Sequence, residues 1–171
     1  MARVQKSVEV DVPVSTAYNQ WTQFEEFPSF MEGVRSVTQL NNRRLRWTAE
    51  VGGREKSWEA EIQEQVPDEK IIWRSLTGEE NAGVVTFEPT SEDSSRVHLE
   101  MSYDPEGFLE TVGDALGVMS RRVDGDLKRF KTFIEERGVE TGAFRQTLVN
   151  ESAPEGFTRG MPAQPGARRE N

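Results

Sequence analysis

From Leu109 to Ile134, eight apolar residues (Leu109, Val112, Leu116, Met119, Val123, Leu127, Phe130 and Ile134) recur at steps of 3, 4, 3, 4, 4, 3 and 4. The mean step is close to the period of an α-helix, and Glu110, Asp114, Arg121, Arg122, Asp126 and Arg129 fall on its other faces. A helix of that length with one apolar stripe has to lie across something large and apolar. Gly138 is placed to end it, and Asp104-Pro105 separates it from what precedes. A chain of 171 residues is enough for one domain with a sizeable core and too short for two of full size.

The surface for that helix is written in the first hundred residues. Val8, Val10 and Val12 share one parity against Glu9 and Asp11, the pattern of a half-buried strand that Pro13 closes. Ser15 is expected to cap a short helix through Trp21, and Pro28 to break a second apolar segment, Phe24 to Met31. Asn41-Asn42 and Gly52-Gly53 are expected in two-residue turns of positive φ, with further turns at Val66-Pro67-Asp68-Glu69 and Thr90-Ser91-Glu92-Asp93. Between these turns run the period-2 sets Leu45, Trp47, Ala49, Val51; Trp58, Ala60, Ile62; Ile71, Trp73, Ser75; Val85, Phe87; and Val97, Leu99, Met101, Tyr103. Each alternates with polar neighbours, which predicts an antiparallel meander with one wet face and one covered face.

Composition removes several kinds of chemistry. With no Cys and one His, disulfides, zinc-thiolate sites, Cys nucleophiles and clusters of several His ligands are excluded by inventory. A net charge of −9 argues against nucleic acid as a partner, because such binding needs a basic face. No apolar run reaches the length of a transmembrane segment, and a soluble, cytoplasmic protein is expected. Residues 142–171, rich in Gly, Pro, Ala and Arg, read as a disordered tail; with four Arg and three Glu they leave 17 basic and 27 acidic residues on a domain of residues 1–141. Arg168-Arg169 reads as solubilising charge.

One strand, a short helical pair, a six-strand meander and a long final helix make the order of a helix-grip fold. The chain resembles the START-like, or SRPBCC, superfamily, and within it the polyketide cyclase/dehydrase and lipid-transport group that includes the coenzyme Q-binding proteins. The resemblance rests on Val12-Pro13-Val14 with Ala17-Tyr18 and Trp21; Phe27-Pro28-Ser29-Phe30-Met31 with Gly33-Val34; Trp58-Glu59-Ala60-Glu61-Ile62; Ile72-Trp73-Arg74-Ser75; Gly83-Val84-Val85-Thr86-Phe87; and Asp126-Leu127-Lys128-Arg129-Phe130-Lys131. It implies an α+β chain: a curved antiparallel seven-stranded sheet wrapped around a long C-terminal helix, with two short helices after strand 1. It also implies a cavity between sheet and helix.

The residues expected around that cavity are Phe27, Phe30, Trp47, Trp58, Trp73, Ser75, Phe87, Met101, Tyr103, Val112, Leu116, Met119 and Val123. Aromatic rings with Met make an apolar, adaptable wall, and the same pattern also suits a filled core. Gly113 and Gly117 mark a strip of the helix where something comes near the backbone. Catalytic chemistry has a thin basis. His98 shares the outward parity of Arg96 and Glu100, and Arg46 and Arg74 oppose the tryptophans, which leaves Tyr103 as the candidate polar anchor or proton donor. No metal constellation and no cofactor are implied. The expected function is binding or transport of a hydrophobic small molecule (lipid, quinone or polyketide-like aromatic); the alternatives are a polyketide cyclase/dehydratase acting on a poly-β-ketone, and a protein-interaction domain that uses the acidic surface and tail.

Overall fold

The computed structural model describes residues 1–51, 53–105 and 115–149. Seven strands, β1 (Ala2–Val10), β2 (Val34–Gln39), β3 (Arg44–Val51), β4 (Arg54–Val66), β5 (Lys70–Ser75), β6 (Asn81–Ser91) and β7 (Ser94–Tyr103), form one curled antiparallel sheet in the order β1-β7-β6-β5-β4-β3-β2. Helix α1 (Val14–Trp21) and a 3-10 helix (Phe24–Ser29) connect β1 to β2. The long helix α2 (Ala115–Arg137) follows β7 and lies along β1. This is the expected helix-grip architecture.

The apolar stripe of α2 faces the sheet: Met119, Val123, Leu127, Phe130 and Ile134 are all buried. Leu109, Val112 and Gly113 lie outside the described residues, as does the side chain of Leu116. Gly138 ends the helix with φ +74°, its N–H donating to the Ile134 carbonyl at 2.8 Å, which is the left-handed cap expected there. Lys131 Nζ donates to the Glu9 carbonyl at 3.0 Å and Glu135 accepts from the Asp11 N–H at 2.7 Å, fastening the C-terminal half of α2 to the end of β1.

Three local expectations are corrected. Pro13, not Ser15, stands at the N-cap of α1; the Ala17 N–H already donates to the Pro13 carbonyl, so Ser15 sits inside the first turn. Asn41-Asn42 does not form a positive-φ turn. The Asn41 side-chain oxygen instead accepts from the Arg43 and Arg44 N–H groups at 2.8 and 2.9 Å, closing the loop by side chain where a glycine would close it by backbone. In the turn after β4, Asp68 takes φ +65° behind Pro67, a type II arrangement. Gly53 has φ +84°, and Gly52 lies outside the described residues.

The third correction concerns the expected tail. A bulge between Ile62 and Glu64 switches the parity of β4, so Gln65 turns inward and is buried. Beyond Glu61 strand β4 has outrun β3, and its exposed edge is taken by the chain after α2. Gln65 and Leu148 exchange backbone hydrogen bonds of 2.9 and 2.8 Å, and Arg43 bridges the Ile62 and Val149 carbonyls. Arg145 pairs with Asp68 at 2.9 Å and donates to Asn19 at 2.6 Å, while Gln20 and Thr141 exchange bonds of 3.0 and 2.9 Å. Residues 142–149 thus form a strap on the domain; an uncovered strand edge is the physical reason it is there. Residues 150–171 lie outside the described set.

Two outcomes follow. Ending the chain at Thr141 instead of Val149 should lower unfolding free energy by about 2–4 kcal/mol, from lost Leu148 burial and unpaired Gln65 backbone groups; equal urea midpoints would mean the strap contributes nothing. At Gly33, φ is +85° and an added Cβ would meet the Glu50 carbonyl oxygen at 2.7 Å, whereas at Gly53 nothing lies within 4 Å. Gly33→Ala should therefore cost about 2–4 kcal/mol against about 1 kcal/mol for Gly53→Ala in the same melts.

Candidate functional site

The space between sheet and α2 is filled unevenly. Towards β1 and the C-terminal half of the helix it is packed with rings. Trp21 meets Phe27 at 5.2 Å, Phe130 at 5.4 Å, Phe30 at 6.1 Å and Phe87 at 6.5 Å between centroids, and Phe87 meets Tyr18 at 5.3 Å. Most of these pairs are edge-on, the favoured arrangement for buried rings. Towards the N-terminal part of α2 and strands β3 to β7 the packing opens into a cavity of about 150 Å³.

Its wall is a slab of indoles. Trp47 and Trp58, opposite each other on β3 and β4, stack with an interplanar angle of 5° and centroids 5.8 Å apart. Trp73 lies over Gly83 of the neighbouring strand, where an added Cβ would sit 2.5 Å from the ring. The Trp73 indole N–H donates to Asn81 at 3.2 Å, so its polar edge is satisfied and its face stays apolar. Ala49 and Ala60 carry methyl groups on the same inward parity, and the volume they leave unfilled belongs to the cavity.

Of the residues expected here, Phe27, Trp47, Trp58, Trp73, Met101, Met119 and Val123 line the cavity. Phe30 and Phe87 do not; both are buried in the ring cluster beside it. Ser75 accepts from the Asn81 N–H at 3.0 Å and serves the β5–β6 connection. Tyr103 is fully buried at the end of β7 and is not among the residues around the cavity. Val112 lies outside the described residues and the Leu116 side chain is not described. Arg46, paired with Glu59 at 2.7 Å, and Arg74 stay on the outer face as their parity requires. Among the described residues no group of three or more His, Asp or Glu is placed to hold a metal ion.

Three polar lining residues escaped the sequence reading, Asn81 on β6 and two on α2. Arg122 and Asp126 border the cavity from α2, although the apolar stripe assigned them to other faces. With Arg129 they recur at steps of four and three, a polar stripe beside the apolar one, and that spacing was the available signal. All three hold residues 30–33. Arg122 Nη1 donates to the Glu32 carbonyl at 3.0 Å, Asp126 Oδ1 accepts from the Glu32 N–H at 3.0 Å, and Arg129 donates to the Phe30 carbonyl at 3.0 Å and to Asp126 Oδ1 at 2.5 Å. Burial pushes the Asp126 carboxyl above the usual carboxylate range, against the pull of Arg129, the Glu32 N–H and Arg122.

Residues 10–132 match the family model described as polyketide cyclase/dehydrase and lipid transport. An uncharacterised 17.2 kDa protein of Streptomyces lincolnensis is 50% identical over 150 residues, covering 87% of this chain and 100% of that one. A solved Deinococcus radiodurans structure is 31% identical with TM-score 0.65, over 80% of this chain and 99% of that one. An aromatase/cyclase from Streptomyces sp. R1128 shares the fold at 14% identity, TM-score 0.68, over 84% of this chain and 99% of that one. Among the described residues no helix is long and apolar enough to cross a membrane.

Because the folded Asp126 carboxyl titrates above its unfolded value, its contribution to stability is fully present below the unfolded pKa and is lost as pH rises through the folded one. The thermal midpoint of Asp126→Asn relative to the parent should therefore rise between about pH 3.5 and pH 7. A relative midpoint that falls over this range would show that Arg129 outweighs burial.

Proposed function

Because the chain belongs to the polyketide cyclase/dehydrase and lipid-transport family, we propose that it holds a hydrophobic small molecule in the cavity between sheet and α2, as a carrier or sensor and not as an enzyme. The observation that carries this reading is the wall itself: of its described side chains only Asn81, Arg122 and Asp126 are polar, and Asn81 is already engaged by Trp73 and the Glu79 carbonyl. A concave, apolar, aromatic surface with few polar groups is the ordinary form of a small-molecule site. In a closed core such indoles would face packed neighbours at crystal-like density; here they face open volume.

A cyclase/dehydratase working through Tyr103 has less support, since the phenol is buried and is not among the residues that line the cavity, and the one lining carboxyl among the described residues, Asp126, is engaged by Arg129 and the Glu32 N–H. The activity in the name of the aromatase/cyclase neighbour stays with that protein. Its 14% identity extends to the fold alone.

Protein isolated under native conditions should carry a stoichiometric apolar molecule that organic extraction releases and native mass spectrometry weighs. Ala60→Phe, which places a ring in the empty volume, should weaken binding of a fluorescent fatty acid by about tenfold or more while keeping a cooperative melt. Wild-type protein that is recovered empty and binds no apolar probe would overturn the reading.

A further inference from the structure

The cavity is small, and its two charged lining groups, Arg122 and Asp126, sit one turn apart on α2. An apolar cavity of about 150 Å³ accepts a single benzene ring, and this one has the same volume. A diacyl lipid or a long polyketide is several times larger. The walls that such a ring would touch are flat: the stacked pair Trp47 and Trp58, and Trp73 across Gly83. At the rim the charges of Arg122 and Asp126 cancel, and Arg129, bonded to Asp126, leaves the trio with one positive charge on a protein whose net charge is −9. Asp126 spends Oδ1 on both the Glu32 N–H and Arg129. Arg122 lines the cavity, has only N–H donors to offer, and uses one of its five on the Glu32 carbonyl.

On the basis of the binding function proposed above, we infer that the ligand is a small planar aromatic molecule carrying one oxygen acceptor, a carboxylate or carbonyl, with its ring against the tryptophans and its oxygen on Arg122. Shape selects the ring, because a flat molecule gains full contact with the indole slab and a branched one does not. Chemistry selects the acceptor, because the guanidinium matches a planar oxygen pair and offers nothing to a donor. Arg122 is then a specificity residue: it orients the ligand, and the indoles supply the bulk of the affinity.

The test is a set of titrations at neutral pH, followed by quenching of tryptophan emission and by calorimetry, with benzoate, benzaldehyde, toluene and palmitate as probes. Benzoate and toluene should bind one to one. Arg122→Gln should weaken benzoate by about tenfold or more and change toluene by less than about twofold, since a hydrogen bond to a charged group is lost in one case only. Arg122→Lys should recover part of the benzoate affinity, and thermal melts of both variants report whether the hold on Glu32 survives. Benzaldehyde separates the two acceptors: a loss equal to that of benzoate assigns a carbonyl, a smaller one a carboxylate. Equal effects of Arg122→Gln on benzoate and toluene would overturn the anchor. Binding of palmitate with neither ring compound bound would overturn the ligand class and leave the broader binding function standing, whereas failure of all the probes would remove both.

Discussion

Phe130 of α2 meets Phe30 at 5.2 Å and Trp21 at 5.4 Å, and these ring contacts set how near the helix comes to the sheet. A helix seated on aliphatic side chains settles until its neighbours interlock. One seated on edge-on rings is held at the width of a ring. Phe30 and Trp21 come from the 3-10 helix exit and from α1, so the two short elements after β1 act as a wedge at one end of the groove. Because α2 runs unbroken from Ala115 to Arg137, a wedge under its C-terminal half also sets the height of its N-terminal half above β3 to β7. The cavity follows from that geometry together with the small side chains Ala49 and Ala60 beneath it.

The wedge needs its own fastening, and the polar stripe of α2 provides it. Arg122, Asp126 and Arg129 grip the backbone of Phe30 and Glu32, the segment that carries the wedge into β2. Gly33 makes the close approach feasible, since any side chain there would strike the Arg122 guanidinium and the Glu50 carbonyl. The same Arg122 and Asp126 border the cavity. Structural hold and ligand access therefore share residues, so the group that would meet a ligand's oxygen is preorganised by bonds made for packing.

How much of this was legible depends on whether a residue's role is periodic. The strands, their wet and covered faces, the buried stripe of α2 and the Gly138 stop all repeat or sit at fixed offsets, and all were readable. Parity turned Trp47, Trp58, Trp73 and Met101 inward, helical spacing did the same for Met119 and Val123, and the family resemblance supplied the cavity between them. Parity works while register is regular. It fails at the bulge after Ile62, where Gln65 turns inward and the β4 edge left uncovered by β3 calls for the strap of residues 142–149. A bulge inserts one residue and leaves no compositional mark, and a Gly- and Arg-rich strap looks like a tail until its partners are known. Tyr103 fails for a different reason: inward parity places a side chain under the helix and does not say whether it meets open space or packed atoms. Phe30 and Phe87 fall on the packed side of the same boundary.

That boundary also explains why the molecule tolerates an empty volume. Unfilled space in a core costs stability roughly in proportion to its size, because the lining atoms lose partners. Here the loss is confined to one end of the groove. The other end packs Tyr18, Phe87, Phe130 and Ile134 with almost no exposure, and the strap closes the sheet edge below it. Stability is concentrated where no ligand goes, so the tryptophan end is free to stay under-packed. A molecule entering that end regains the contacts its lining lacks, so its binding stabilises the native state as well as housing the molecule.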